Sequence, residues 1–321
     1  MSKQSRITAV ILSYNEEKNM KRCIDSVAGW CEVIVVDSFS TDETVHIATG
    51  MGAHVIQHTY ENHSAQWNWI LDRVTIDTDW ILALDADFIV TPELKKALDT
   101  FLNGNDTAYN GFYVKHEYVF WGSRIRFGGI KKYWLRGLRL GYGNADASDL
   151  VDFRFNVKGG VQRINAKVIE SNEKDSDFSF WVRKQDLFSF RLAVEEEVRR
   201  RKLINWEGKK SLFGNTDEKF KSYRDIWMSM PLFIRPWFYF FYRYIIALGF
   251  LDGVGGFIYH FQQGLWLRMV VDMKIRQIRK ARLSNEFLLT VSREMLTVKS
   301  GSLEFMMNYL KDKASVIKEE Y

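Results

Sequence analysis

The sequence predicts an α/β fold in which a mostly parallel sheet is flanked by helices. Strand-like and helix-like segments alternate through the first hundred residues, and polar turns follow the strands. The chain has 321 residues with 46% hydrophobic content, enough for one large domain with an appendage. Alternation of this kind is typical of parallel strands joined by covering helices.

The alternating segments follow one another closely. Apolar, β-rich runs predict strands at 7–12, 32–36, 54–58 and 80–84, and helical patterns lie at 16–27, 41–51 and 64–74. No Gly-x-Gly-x-x-Gly follows the first strand and no Walker lysine is present. We therefore expect neither a Rossmann dinucleotide site nor a P-loop.

Charge is spread unevenly along the chain. The net charge is +5, but residues 1–100 hold 8 Lys/Arg against 15 Asp/Glu, so the remainder is basic. The basic residues follow an aromatic, apolar region instead of forming a groove-reading motif, so we expect no nucleic-acid partner.

Cys23 and Cys31 lack metal-ligand or redox spacing. We expect reduced thiols in the cytoplasm and no cleaved signal peptide.

Polar turns follow the first two predicted strands. Ser13-Tyr14-Asn15-Glu16 follows the first, and Asp37-Ser38-Phe39-Ser40-Thr41-Asp42 follows the second. Each turn alone favours helix capping, by Ser13 or Asn15 and by Ser40 or Thr41. The carboxyl ends of parallel strands share one sheet edge, where α/β proteins bind ligands. Together, with Tyr14 able to stack on a base, the turns favour a nucleotide site.

Two acids end the fourth predicted strand. Asp85 and Asp87 follow the apolar run 80–84. Residues two apart in an extended chain point to the same side, so these carboxylates are suited to one divalent cation that bridges to substrate phosphates. Asp-x-Asp alone is weak evidence, because it also occurs by chance. Its position on the sheet edge is what favours binding of Mg²⁺ or Mn²⁺.

These residues resemble glycosyltransferase family 2, whose members are inverting enzymes of GT-A fold with nucleotide-sugar donors. The resemblance lies in three ordered blocks: 8–17, 33–44 and 80–87. It implies that Ser13, Tyr14 and Glu16 lie beside the base and ribose of the donor. Asp37 would bind the base or ribose, and the Asp85–Asp87 pair would hold the metal on the diphosphate.

Two positions depart from many members of the family. Ser38 stands where a second acid is common, and Phe39 stands where glycine is common. The resemblance is closest to bacterial lipopolysaccharide-core and capsule β-glucosyltransferases, which implies a UDP-linked hexose donor and a lipid-linked saccharide acceptor.

We expect the catalytic base among the residues that follow 134–140. Residues 134–140 resemble the strand that precedes the acceptor site in the family. An inverting transferase needs a carboxylate to accept the proton of the acceptor hydroxyl. Relatives often have Val-His-Glu here, whereas this chain has Asp152 and Phe153 at the last two positions. We predict Asp152 as the base and Asp149 as the second choice. The nearby alternatives are Glu170 and Asp146.

A later helical segment carries a cationic pair. The resemblance implies that Arg183 and Lys184 meet the donor diphosphate or an anionic acceptor. The acidic and basic run at 195–202 is interpreted as a solvent-facing helix with i,i+4 pairs, Glu195 with Arg199 and Glu196 with Arg200.

Residues 231–271 change composition abruptly. They are densely aromatic and apolar, with interleaved arginines and following basic residues, and no uncharged stretch reaches the ~20 residues that span a bilayer. This pattern favours helices in the interface of an anionic membrane; a buried helical hairpin is the alternative. The basic residues are Arg235, Arg243, Arg268, Lys274, Arg276, Arg279, Lys280 and Arg282.

The predicted organisation has three parts. Residues 1–205 form the transferase domain, with a donor half at 1–100 and an acceptor half at 101–205. Residues 206–283 form a membrane-associating helical region, and 284–321 a helical tail. We expect a metal-dependent hexosyltransferase on the cytoplasmic face of the inner membrane, bound peripherally. A polyprenyl-phosphate sugar synthase and a non-catalytic sugar-nucleotide-binding protein remain alternatives.

Overall fold

The computed structural model describes residues 6–104, 108–129, 133–147, 151, 153–204, 210–214 and 216–297. These residues form two compact units. The first contains the described residues up to Tyr60, together with Ala65–Ala145 and Arg154–Phe178. The second contains Glu61–Ser64, the described part of Asp146–Phe153 and the described residues from Ser179 onward. The predicted bases Asp149 and Asp152 lie outside the described residues.

The first unit is built on a sheet. Its strands are β1 (Ile7–Ser13), β2 (Glu32–Asp37), β3 (His54–Gln57), β4 (Trp80–Asp85), β5 (Phe88–Val90), β6 (Tyr109–Phe120), β7 (Ser123–Ile125), β8 (Tyr133–Arg139), β9 (Gly143–Ala145), β10 (Phe155–Val157) and β11 (Gly160–Ser171). The order is β3-β2-β1-β4-β8-β6-β11-β5, with β7 beside β6 and a separate β9–β10 ribbon. The helices are α1 (Glu17–Val27), α2 (Thr44–Gly50), α3 (His63–Arg73) and α4 (Pro92–Asn103).

The α/β class is confirmed, and the pairing divides the sheet. β1, β2, β3 and β4 pair in parallel, as their helical connections predict. Beyond β4 the sheet is mixed, since β8 pairs antiparallel with both β4 and β6, whereas β11 is parallel to β6. A tight turn joins β6 to β7, so strand reversal replaces helical crossover in this half.

β1 is buried on both faces, since Ile7, Thr8, Ala9 and Val10 are all buried. Such strands are continuous apolar runs, which explains why β1, β2 and β4 stand out in the sequence. One core cluster joins alternate residues of β1 and β4 to the apolar faces of α1 and α4: Ile7, Ala9, Ile11, Leu82, Leu84, Met20, Cys23, Ile24, Leu94 and Leu98.

The second unit is helical. Its helices are α5 (Phe178–Arg200), α6 (Thr216–Ser229), α7 (Arg235–Phe241), α8 (Gly253–Tyr259), α9 (Leu267–Lys280) and α10 (Asn285–Thr297). A second core cluster joins α5, α9 and α10, with Phe190, Val198, Ile275 and Leu288 at its centre. Among the described helices none is long and apolar enough to cross a membrane alone, but the bent pair Arg235–Ile246 and Gly249–Lys280 passes that test together.

The acidic run of α5 is buried, so its interpretation as a solvent-facing helix was wrong. Glu195, Glu196 and Glu197 are at most 3% exposed. The predicted Glu195–Arg199 pair is confirmed at 3.0 Å. Glu196 instead pairs with Arg235 of α7 at 2.6 Å. Arginines brought from other helices of the unit satisfy these acids, which a single-helix pattern does not reveal.

Three of the described arginines converge on Glu197, one of them Arg201 at 3.1 Å. Arg200 pairs with Glu197 at 2.6 Å and Arg279 of α9 at 2.9 Å. Arg200 therefore does not pair with Glu196 as predicted, because Glu197 is its partner at i−3.

Candidate active site

The register of β1 and β2 brings the first two polar turns together. Ser13 lies opposite Asp37, and Leu12 lies opposite Asp85 of β4. The edge of the sheet expected from the sequence is therefore formed, with both turns and the Asp85–Asp87 pair on it.

Asp37 is a buried carboxylate that holds this edge together. Ser13 Oγ donates to its Oδ1 at 3.0 Å. Ser40 donates its backbone N–H to Oδ2 at 2.8 Å, and its hydroxyl also donates to Asp37. Gln57 Nε2 donates to Oδ2 at 3.3 Å. Because a carboxylate accepts about four hydrogen bonds, this set fixes both turns around Asp37.

The two turns bond to each other through Asn15, Ser40 and Thr41. The Asn15 N–H donates to Ser40 Oγ at 2.8 Å, and Asn15 Oδ1 accepts from the Thr41 N–H at 2.8 Å. Neither α1 nor α2 has a side-chain hydrogen bond from its own N-cap residue. The capping alternative for Ser13, Asn15, Ser40 and Thr41 is thus not what the structure shows.

The N-terminus of α1 is capped from the second turn. The Glu16 N–H donates to Thr44 Oγ1 at 2.6 Å, and the Glu17 N–H donates to Asp42 Oδ2 at 3.2 Å. Partial burial would raise the pKa of Asp42, but hydrogen bonds from Thr44 and Glu17 outweigh burial and lower it. Asp42 is therefore held as an anion at a helix N-terminus, where negative charge is favourable.

Two aromatic side chains stand exposed on this edge. Tyr14 is 49% exposed and Phe39 is 43% exposed. Phe39 has φ +60°, a left-handed conformation that costs little for glycine and more for phenylalanine. The glycine of many relatives at this position thus has a physical reason, and here a ring takes its place.

Asp85 has a cationic partner that sequence reasoning did not select. Arg136 Nη2 donates to Asp85 Oδ2 at 3.1 Å, and its guanidinium lies 4.7 Å from the Phe88 ring centre. A register shift makes Phe112 face Gly137 and Tyr113 face Leu135, so β8 has a bulge at Arg136. Bulges re-aim side chains, and this one directs Arg136 to Asp85. A bulge leaves no periodic mark in the sequence.

Asp87 belongs to a chain of amide hydrogen bonds. Asn172 Nδ2 donates to Asp87 Oδ2 at 3.2 Å, and Asn172 Oδ1 accepts from Asn19 Nδ2 at 3.1 Å. Asn19 Nδ2 also donates to Glu16 Oε2 at 2.7 Å. Lys174 pairs with Glu16. The first turn and the second acid of the pair are therefore linked through residues that follow β11.

The Asp85–Asp87 pair supplies two carboxylates, so the other ligands of a divalent cation would have to be phosphate and water oxygens. No group of three or more His, Cys, Asp or Glu side chains is arranged for a metal within the described parts of the chain. Mg²⁺ is usually bound by one or two carboxylates, with phosphate and water oxygens completing the shell. The Asp85 side chain is 31% exposed, so it is accessible from solvent.

The thiol beside Asp85 is inert. Cys23 is fully buried, and its Sγ donates to the Asp85 carbonyl at 3.7 Å. Burial, followed by the charges of Asp87 and Asp85, raises the pKa of Cys23. A protonated, buried thiol is not a nucleophile, so Cys23 supports the end of β4.

The two alternative bases have different surroundings. Asp146, in the second unit, is fully buried with Lys221 Nζ at 3.5 Å. Glu170, in the first unit, lies opposite Phe88 in the β5–β11 register, and its side chain is 30% exposed. Glu170 is thus next to the strand that follows the acid pair, with buried His116 Nδ1 3.5 Å from its Oε2.

Arg183 and Lys184 belong to the second unit. Both are exposed on α5. Ser13, Tyr14, Glu16, Asp37, Asp85 and Asp87 all belong to the first unit. The structure therefore brings these six predicted residues together on one edge of the first unit.

Comparison with known proteins identifies the part of the chain that carries this edge. Residues 8–158 match the family model described as Glycosyl transferase family 2. This segment, slightly less than half of the chain, is therefore similar to family 2 glycosyltransferases. The match accords with the GT-A fold expected from the sequence. Glu170, Asn172 and Lys174 lie after the segment that matches the family.

Several curated proteins are similar to parts of the chain. An uncharacterized glycosyltransferase of Rickettsia typhi is 36% identical over 112 residues, which cover 34% of this chain and 38% of that protein. The chain thus matches less than two-fifths of that relative's length. The lipopolysaccharide core biosynthesis glycosyltransferase LpsC of Rhizobium meliloti is 24% identical over 160 residues, 48% of this chain and 58% of that protein.

A solved structure is also similar. Glucosyl-3-phosphoglycerate synthase from Mycobacterium tuberculosis, in complex with Mn²⁺, UDP and glucosyl-3-phosphoglycerate, is 23% identical with a TM-score of 0.30. The similarity covers 36% of this chain and 44% of that one.

Proposed function

We propose that this chain is a metal-dependent, inverting glycosyltransferase that moves a hexose from a UDP-sugar to a lipid-linked saccharide. The observation that carries the proposal is the β2-β1-β4 register. It places exposed Tyr14, buried Asp37 and the Asp85–Asp87 pair on one edge of the sheet, within the segment that matches the family 2 model. The aromatic face of Tyr14 suits a nucleobase, and the organised pair of turns suits a ribose. The two acids suit a metal-bound diphosphate.

The first turn would bind the nucleoside. Exposed Tyr14 would stack on the base, and Ser13 and Glu16 would lie beside base and ribose. Asp37 already holds four donors, so in this proposal it presents both turns to the nucleoside and reaches the ligand through the groups that it orders.

The acid pair would hold Mg²⁺ or Mn²⁺ on the diphosphate. The cation supplies charge neutralisation for the leaving nucleoside diphosphate. Arg136 orients Asp85, and Asn172 orients Asp87. Both acids are thus held before donor binds, which is the preorganisation that transfer chemistry requires.

The acceptor hydroxyl needs a base on the opposite side of the sugar. We propose Asp152 for this role, then Asp149: the carboxylate takes the hydroxyl proton, the hydroxyl oxygen bonds to the anomeric carbon, and the bond to the diphosphate breaks. Exposed Arg183 and Lys184 are proposed to bind an anionic group of donor or acceptor.

A lipid-linked acceptor at the cytoplasmic membrane face is supported by two observations. Residues 234–261 expose a large apolar surface. The similar protein LpsC is named for lipopolysaccharide core biosynthesis. We propose peripheral, monotopic attachment to an anionic membrane surface.

Donor binding and turnover test the proposal separately. A panel of nucleotide sugars is screened by thermal shift with and without Mn²⁺ or Mg²⁺; a ligand at 100 times its Kd stabilises by ~2.7 kcal/mol. We expect a shift that requires both metal and a UDP-sugar, and that Asp87→Asn abolishes. Asp25→Asn, which removes only an exposed pair with Lys21, is the matched control. If no donor shifts the melting temperature, the proposal is wrong.

The proposed base is tested by measuring the release of UDP with an extract of lipid-linked saccharides as the acceptor. Asp152→Asn should abolish transfer and leave the metal-dependent thermal shift intact. Normal transfer in the Asp149→Asn/Asp152→Asn double variant would instead indicate attack by a phosphate acceptor, as in a polyprenyl-phosphate sugar synthase, which needs no carboxylate base.

A further inference from the structure

Residues 234–261 form a helical hairpin, here called the apolar hairpin. Its first arm is α7 with the π-helical segment Tyr242–Ile246, and its second begins with α8 after a turn at Gly249–Asp252. The chain bends by 69° between Arg235–Ile246 and Gly249–Lys280, and the two arms contact each other through Phe240 and Phe261, 6.5 Å between ring centres, and through Tyr244 and Phe257, at 5.6 Å.

The surface of the apolar hairpin carries no exposed charge. All 28 residues from 234 to 261 are described, and every exposed one is apolar, aromatic or glycine. The exposed large side chains are Ile234, Trp237, Phe238, Phe241, Tyr242, Ile245, Ile246, Leu248, Phe250, Leu251, Val254, Phe257 and Phe261. A continuous apolar patch of this kind on a water-soluble surface marks an interaction site.

The polar side chains of the apolar hairpin point inward. Arg243 is buried, with its guanidinium 5.4 Å from the ring centres of both Tyr239 and Tyr259. His260 is fully buried. Asp252 is half-buried, and a Cβ added at Gly256 would lie 2.5 Å from its Cβ. Apolar side chains outside and polar side chains inside is the arrangement favoured in lipid.

The base of the apolar hairpin is fixed to the helical core by charge. Arg235 is fully buried and pairs with Asp272 of α9 and with Glu196 of α5. Exposed cations follow beyond this base: Arg276 lies one helical turn after Asp272, then Lys280 and Arg282. Lys274 and Arg279 instead pair internally with Asp186 and Glu197.

The length of the first arm matches one leaflet. Arg235–Ile246 as a helix spans about 18 Å. One leaflet of a bilayer whose hydrocarbon core is about 30 Å thick is about 15 Å deep. The first arm is thus long enough to carry the turn into the hydrocarbon core while the exposed cations stay at the depth of the phosphates.

We infer that the apolar hairpin inserts into one leaflet of an anionic phospholipid bilayer as a re-entrant element. The apolar hairpin would then enter the bilayer with its turn deepest, in place of the helices lying flat in the interface that the sequence predicts. This insertion is part of the membrane attachment in the proposed function and rests on that proposal only for the choice of membrane face. Insertion is measured without any sugar transfer.

Flotation tests membrane binding. The purified full chain is mixed with phosphatidylcholine–phosphatidylglycerol vesicles and floated through a gradient that contains 1 M NaCl. We expect it to stay with the vesicles, because apolar burial resists salt whereas attraction to headgroups does not. Release by salt, or failure to float, overturns insertion.

Substitutions in the turn measure how much its exposed side chains contribute to membrane binding. The triple variant Phe250→Ser, Leu251→Ser, Val254→Ser removes exposed side chains and should lower partitioning into vesicles by about 100-fold. The matched control is Phe213→Ser, Tyr223→Ser, Ile226→Ser, which removes three exposed apolar side chains outside the apolar hairpin and should float like the parent chain. Equal flotation of both variants contradicts the proposal.

Depth separates insertion from surface attachment. An environment-sensitive dye is placed on Leu251→Cys or Arg276→Cys in a Cys31→Ser background; Cys23 is buried. Lipids brominated near the end of the acyl chain should quench the dye at position 251 and spare it at 276. Equal quenching at the two positions, or a salt-stable dimer of the chain that no longer floats, overturns the inference. Metal-dependent donor binding by the triple variant is measured in parallel, so a failed donor site is recognised independently.

Discussion

Arg136 and Asp85 form an ion pair at 3.1 Å, so the first acid of the Asp85–Asp87 pair has a positive partner before any metal binds. The Arg136 side chain is 9% exposed, which limits screening by solvent. In the proposed function, a divalent cation at Asp85 would be repelled by this fixed neighbouring charge. The diphosphate of a donor would neutralise both cations, so we expect metal binding to depend on donor binding.

Replacing Arg136 by Gln should uncouple metal from donor. We expect Mn²⁺ alone to bind about tenfold more tightly, because the repelling charge is gone. Transfer should fall by tenfold or more, since Asp85 loses the group that orients it. Titration calorimetry with Mn²⁺, with and without UDP, measures both affinities.

The matched control for Arg136 is Arg139→Gln on the same strand. Arg139 lies over the Tyr142 ring, 5.2 Å from its centre, and should leave Mn²⁺ affinity unchanged when replaced. Unaltered Mn²⁺ affinity in the Arg136 variant would contradict the coupling.

Asn172 links Asp87 to the first turn, and its loss should affect both ends of that link. Asn172→Ala removes the donor to Asp87 and the acceptor from Asn19. Leaving partly buried partners unsatisfied costs about 1–2 kcal/mol, measured by urea unfolding. UDP-sugar turnover should fall as Asp87 loses its orientation. Asn165→Ala, which loses only an exposed bond with Tyr133, should change stability by under ~0.5 kcal/mol.

The parts of this site that the sequence predicted are those set by local pattern. β1, β2 and β4 are apolar runs with polar residues at their ends, and parallel pairing alone then brings Tyr14, Asp37 and Asp85 to one edge. The observed bounds of these strands differ from the predicted ones by a single residue.

The parts that the sequence did not predict depend on distant contacts. Arg136 reaches Asp85 through a bulge, and Asn172 reaches Asp87 across 85 residues of chain. The acids of α5 were predicted to face solvent because their partners are distant in sequence. Arg235 is 39 residues from Glu196, and Arg279 is 82 residues from Glu197. Periodicity reports which face of an element is apolar, but not which charges another element will supply.

Two substitutions can separate the backbone strain at Phe39 from the effect of its aromatic ring. Phe39→Gly and Phe39→Ala both remove the aromatic face, so both should weaken nucleotide binding by about tenfold if stacking contributes ~1–3 kcal/mol. Only glycine relieves the φ of +60°. The glycine variant should therefore be more stable than the alanine variant by about 1 kcal/mol in urea unfolding. Equal stability of the two would show that position 39 is unstrained.

Glu197 should make stability fall in acid. Burial alone would raise its pKa, but hydrogen bonds from Arg200 and Arg279 outweigh burial and hold the pKa at about 2. Because the folded pKa lies below the ordinary value, the contribution is complete above pH ~4.5 and is lost as the pH falls through ~2. The shift corresponds to about 3 kcal/mol. Glu197→Gln should lose that amount at pH 7 and approach the parent chain near pH 2. Glu93→Gln on α4 should follow the parent chain throughout, and a Glu197→Gln deficit that stays constant from pH 7 to 2 would show that the ion cluster does not contribute in this way.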